Sequence, residues 1–177
     1  MPEGTDLLAK QLLDRRTYIS HFIIMKLVHG TSISINGVAL LLTGDPGAGK
    51  SDLALRLIDR GALLIADDYT ELRPDDDGRL LARAPTAIAG KMEVRGIGIV
   101  AKVFCDDIPL KAIIQLVPRD QVPRLPDVET QIFEGVSLPC YRLCAHDISA
   151  VIKAEIIARS AASGVRAGIE GVESDAS

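Results

Sequence analysis

The chain has only three cysteines, Cys105, Cys140 and Cys144. An odd count cannot close a disulfide set, and their spacing is no zinc pattern. They read as buried or half-buried free thiols in a reducing compartment. Positive charge is also short: 20 Lys and Arg stand against 24 Asp and Glu, a formal net charge of −4. No electrostatic footprint for nucleic acid follows from such a balance, so no nucleic-acid partner is expected. Long apolar runs are missing as well. The stretch from Phe22 to Val28 is apolar apart from Lys26, and it is far too short to span a bilayer. The N-terminal stretch, acidic and basic by turns, lacks the pattern of a signal peptide. The expected compartment is therefore the cytoplasm, with no membrane partner. No internal repeat is visible.

What remains is ordinary globular material. With 177 residues and 47% hydrophobic content, one domain with a sizeable core is expected. Residues 1–25 read as a polar leader, with a short helix over Leu7 to Leu13. Met25, immediately before the patterned region, offers a second translation start beside Met1, and the residues do not choose between them. Residues 26–162 form the patterned domain. Residues 163–177, small, acidic and Gly-rich, are expected to be a disordered tail.

Chemistry enters at Gly44-Asp45-Pro46-Gly47-Ala48-Gly49-Lys50-Ser51. The apolar run Val38 to Leu42 enters this segment as a strand should, and Leu53, Leu57 and Ile58 leave it at helical spacing. Glycines let the backbone curl so that several N–H groups face one anion, and the helix N-terminus adds partial positive charge. The pattern is that of a phosphate-binding loop: Lys50 is placed for the terminal phosphates and the Ser51 hydroxyl for Mg²⁺. A nucleotide is the expected ligand. No Asn-Lys-x-Asp guanine reader is present, which disfavours a small GTPase.

Turn signals then set the fold class. Ser32 to Ile35 alternates, Asn36-Gly37 follows, and Val38 begins the strand into the loop, so a hairpin with positive φ at both turn residues is expected. A second hairpin is predicted from Tyr69–Arg73 to Arg79–Ala82, and further strands at 63–66, 98–104 and 112–117. Asp147 is the expected N-cap of a final helix running to Ala162, with Ile148, Val151, Ile152, Ala154 and Ile156 as its apolar surface. The fold class is α/β, with a mixed, largely antiparallel sheet around the phosphate loop.

Asp67-Asp68 ends the strand Leu63 to Ala66, where a metal ligand or a base belongs. Adjacency alone does not say which carboxylate does which.

With those residues in view, a resemblance becomes specific. His29-Gly30, the Asn-Gly hairpin, Gly44 to Ser51, Arg60-Gly61 and Leu64 to Asp68 resemble the catalytic domain of bacterial HPr kinase/phosphorylase. Met92 to Ile99 is similar to that family's second signature, Glu-[Ile/Val]-Arg-Gly-[Leu/Ile]-Gly. The resemblance implies a fold like the nucleotide-binding part of phosphoenolpyruvate carboxykinase, in a short form without the separate N-terminal domain that members commonly carry. It implies ATP-dependent phosphorylation of a serine on the phosphocarrier protein HPr, with reversal by inorganic phosphate in many members. Asp67 becomes the proton-transfer residue, and Ser51, Asp68 and Glu93 the Mg²⁺ neighbourhood. His29 lies by the reacting phosphate and Arg95 organises behind it. Arg124, in Pro123 to Pro126, stands for the catalytic arginine of the family's mobile loop. A homo-oligomer, hexameric by resemblance, is also implied. The segment Pro139 to Asp147 departs from the family's pattern before its last helix. Two alternatives stay open: a nucleotide-binding regulator without transfer chemistry, and a kinase of another small acceptor.

Overall fold

A computed structural model describes residues 25–127 and 129–164. The expected leader helix, and the expected tail beyond residue 164, lie outside the described residues. The strands are β1 (Lys26–His29), β2 (Thr31–Ile35), β3 (Val38–Gly44), β4 (Leu63–Ala66), β5 (Tyr69–Pro74), β6 (Leu80–Arg83), β7 (Lys91–Val94), β8 (Gly98–Ala101), β9 (Ile108–Leu116), β10 (Glu129–Phe133) and β11 (Val136–Leu143). The helices are α1 (Lys50–Asp59), leaving the phosphate loop, and α2 (Ala150–Ser163).

Nine strands form one sheet, ordered β1-β5-β6-β9-β3-β2-β4, with β11 also on β9 and β10 beyond it. β7 and β8 make a separate hairpin. Only the β3–β9 and β9–β11 pairings are parallel, so the mixed, largely antiparallel sheet expected from the turn signals is present. The Asn-Gly hairpin joins β2 to β3 with φ of 51° at Asn36 and 79° at Gly37, the mirror-image turn that suits strand twist. The second hairpin, β5 to β6, is also in place.

The long strand β9 organises the core. Its first residues pair with β6 and its last four with β11, while β3 runs along its other edge. Strand alternation then sends side chains to two apolar layers. Leu40 and Leu42 of β3 join Ile33, Ile114, Leu53 and Leu57 under α1 and α2. Ala39 and Leu41 point the other way, against Ile113, Ile65, Leu72, Leu80 and Ala82. Leu40 has no exposed surface. Leu40→Ala should therefore cost about 2–5 kcal/mol of stability, since α1 and the sheet close only partly over the space. A urea midpoint within error of the parent's would contradict this packing.

Several expected boundaries move. The strand predicted over 98–104 stops at Ala101, because the chain then leaves β7 and runs beside β4, with Cys105 N donating to Leu64 O at 2.9 Å. The strand predicted at Ala112 begins earlier, at Ile108, where β6 provides a partner. The final helix starts at Ala150 with Ser149 at its N-cap, so Asp147 is not the cap. Asp147 instead places its carboxylate 3.2 Å from the Lys153 ammonium and 3.4 Å from Arg119. On α2, Val151 and Ala154 are buried as expected, whereas Ile152 and Ile156 are exposed neighbours at four-residue spacing, and Ile148, in the turn before the helix, is exposed as well. Among the described residues, no helix is long and apolar enough to cross a membrane.

Candidate active site

Strands β3, β4 and β11 run in one direction, because β2 lies antiparallel to both β3 and β4, and β9 is parallel to both β3 and β11. Their carboxyl ends therefore open at the same edge of the sheet, where ligands of α/β folds bind. The phosphate loop follows β3, Asp67-Asp68 follow β4, and His146 comes shortly after β11. These segments frame a cleft of about 460 Å³.

In the loop, Gly49 caps α1 with φ of 91°, a backbone conformation L side chains rarely adopt, and a Cβ there would lie 2.8 Å from the Ala145 Cβ. Lys50 opens the helix. It is 7% exposed, and its ammonium donates to the carbonyls of Gly44 (2.9 Å) and Asp45 (3.1 Å), which holds the charge at the rim of the loop. The neighbouring Ser51 hydroxyl donates to Asp67 Oδ1 at 2.9 Å.

The two aspartates have different surroundings. Asp67 is 4% exposed and accepts three hydrogen bonds. The Thr31 hydroxyl shares Oδ1 at 2.9 Å, and the Glu93 main-chain N–H reaches Oδ2 at 3.1 Å. One buried carboxylate thus ties β2, α1 and β7 together, and a buried acceptor of this kind is costly to leave without donors. Thr31→Val keeps the shape but removes one donor. It should lower stability by about 1–3 kcal/mol, read as a shifted urea midpoint at constant slope. Asp68, by contrast, is exposed, has φ of 65°, and lines the cleft. Asp tolerates this left-handed geometry better than most residues, and it turns the second carboxylate away from the interior.

Glu93 and Arg95, both exposed, line the same cleft from β7 and the turn after it. His29 ends β1 and also lines it, with its ring edge-on to Tyr69 at 5.4 Å between centroids. The Ser51 hydroxyl with the Asp68 and Glu93 carboxylates forms a set of hard oxygen donors along the cleft. Mg²⁺ takes donors of this kind, one or two carboxylates completed by phosphate and water, although among the described residues no group of three or more His, Cys, Asp or Glu is placed to hold a metal ion.

Arg124 is the expected residue that the chain does not bring here. After Leu116 the backbone turns through Arg119–Gln121 and passes alongside β11. Arg124 consequently lines a separate cavity of about 440 Å³ with Arg119, Tyr141, Arg142, Asp147 and Lys153. Conversely, sequence reasoning passed over Thr31 and His146. The three cysteines are free, and burial pushes the thiols of Cys105 and Cys140 up, so neither favours a thiolate at neutral pH.

A family profile, the HPr Serine kinase C-terminal domain, matches residues 20–143. The chain belongs to this family. The HPr kinase/phosphorylase of Limosilactobacillus reuteri (strain DSM 20016) is 36% identical over 154 residues, which cover 77% of this chain and 47% of that protein. That of Geobacillus sp. (strain WCH70) is 47% identical over 73 residues, covering 41% of this chain and 24% of that protein. The chain spans about half the length of the curated relatives it matches. The solved HPr(Ser) kinase/phosphatase from Coxiella burnetii superposes with a TM-score of 0.69 at 26% identity, covering 78% of this chain and 92% of that one. Membership supports the fold expected from the motifs, hairpins included.

Proposed function

We propose that residues 26–162 are the catalytic domain of an ATP-dependent serine kinase acting on the phosphocarrier protein HPr, with reversal by inorganic phosphate. The observation that carries this reading is the convergence on one cleft of Lys50, Ser51, an exposed Asp68, Glu93 and His29, in a chain of the HPr serine kinase family. Residues Gly44 to Ser51 hold the nucleotide phosphates, with Lys50 as the mobile charge. Ser51 and Glu93 would hold Mg²⁺, with Asp67 behind the Ser51 hydroxyl. When bound, the cation would supply positive charge to offset that of the phosphates.

The geometry favours a division of labour opposite to the one first expected. Asp67 is buried and already accepts from Ser51, Thr31 and Glu93, so it suits holding rather than proton exchange. Asp68, exposed in the cleft, takes the proton of the acceptor serine as the new O–P bond forms and the bond to ADP breaks. In reverse, inorganic phosphate attacks phosphoserine, Asp68 returns the proton to the departing serine oxygen, and pyrophosphate leaves. His29, set by its contact with Tyr69, sits beside the transferring group, and Arg95 steadies that wall.

The exposed Ile152 and Ile156 on α2, with Ile148 in the turn before it, support a docking role for this region, toward the acceptor or a neighbouring subunit of a homo-oligomer, hexameric by the family resemblance. The free thiols of Cys105, Cys140 and Cys144 support a reducing, cytoplasmic setting, and the net charge of −4 a protein without nucleic-acid partners. The test is direct: incubate the protein with Mg-ATP and the HPr of the same organism, and map the product by mass spectrometry. Phosphoserine supports the proposal. Nucleotide binding with no phosphoserine supports the regulator reading instead.

A further inference from the structure

Among the cleft side chains that the reaction above does not use is a histidine. His146 lines the cleft on the β11 side, across β3 from the side where Asp68 follows β4. A Cβ built on Gly49 would lie 3.5 Å from His146 Cε1 and 3.9 Å from Nε2, so the edge of the imidazole lies against the N-terminus of α1. That is where the loop's main-chain N–H groups gather around an anion. The ring is exposed, and an imidazole always carries at least one N–H donor.

Its backbone is held on both sides. Ala145 is buried against Gly49, and its carbonyl accepts from the Arg56 guanidinium of α1. Asp147 is anchored by Lys153 at 3.2 Å. The ring is thus carried on a fixed segment, and such a donor loses little freedom on binding. The family profile ends at residue 143, before this segment.

We propose that His146 is a nucleotide-binding residue, its ring N–H donating to the phosphate chain on the side of the cleft away from Asp68 and Glu93. The assignment rests on the nucleotide reading of the phosphate loop and adds a contact supplied from beyond β11. A ring that merely covered Gly49 would occupy the same place, so the test separates donor from filler.

Calorimetric titrations with ADP and with adenosine, on the parent chain and on His146→Ala, His146→Gln and Lys50→Ala, decide the matter. His146→Ala should weaken ADP by about tenfold or more, the usual size of a lost hydrogen bond to a charged group, and leave adenosine unchanged. His146→Gln keeps a side-chain N–H and should stay within about threefold of the parent for ADP. Equal ADP affinity in His146→Ala overturns the proposal. So does a parallel loss for adenosine, which would place the ring on the nucleoside, or a glutamine variant as weak as the alanine one, which would make it filler. A parent chain that binds ADP no better than Lys50→Ala overturns the nucleotide reading itself, and the inference with it.

Discussion

Asp68→Asn is expected to leave nucleotide affinity within a few-fold while transfer to an acceptor serine falls by roughly a hundredfold or more, the usual scale for losing a positioned base. The substitution keeps size and hydrogen bonding and removes only the capacity to take a proton. Asp67→Asn should behave differently. Its carboxylate is buried and holds the hydroxyls of Ser51 and Thr31 and the Glu93 N–H. Replacing one oxygen by an NH₂ group sets a donor against one of these donors, at a cost of about 1–3 kcal/mol. The expected signature is a lower urea midpoint and weaker Mg-nucleotide binding, partly recovered at higher Mg²⁺. Single-turnover transfer and nucleotide titration on both variants distinguish the roles. Full transfer by Asp68→Asn beside an inactive but stable Asp67→Asn would return the base to Asp67.

Lys50→Ala should abolish productive use of ATP with little change in stability. Although the side chain is nearly covered, its ammonium bonds only to carbonyls of its own loop, so no apolar core is opened by its removal. Under the proposed function, what is lost is a charge that can follow the transferring phosphoryl group. Thermal melts close to the parent's, with transfer below detection, are the anticipated pair of results. Unaltered transfer in this variant would remove the central functional claim.

The parts of the molecule that could be read from the residues share one property: local chemistry decides them. Asn36-Gly37 needs no distant partner to turn the chain, and Gly44 to Ser51 carries its glycine-permitted loop geometry in its own backbone. Asp67-Asp68 was legible as a carboxylate pair ending a strand at the cleft for the same reason, yet its split into one buried and one exposed residue was not. Burial separates the two, and burial comes from Thr31 on β2 and from β7, neither adjacent in sequence. Thr31 itself gave one faint sign, a hydroxyl residue beside Ser32 in a strand otherwise built to be buried. Strands β10 and β11 were missed because their exposure is mixed and their stability comes from pairing with each other and with β9. The cap of α2 went astray because Asp147 found cations on α2 and near β9, a tertiary attraction that overrode a local preference. His146 had no pattern to announce it. Its place is set by Ala145 meeting Gly49 across the sheet edge.

The shared strand β9 has a consequence in time. Thr43, just before the phosphate loop, pairs in parallel with Gln115, and Leu116 in turn with Leu143, so the rim of the cleft is stitched from three remote stretches of chain. Parallel pairings between remote segments form slowly, since the loops between them must be closed before any contact rewards it. The β2–β3 hairpin can form early and present a flexible glycine loop, but that loop acquires its walls only when β9 and then β11 dock. Competence to hold nucleotide should therefore emerge with the last cooperative step of refolding, after the amides of strands β2 and β3 have gained protection from exchange.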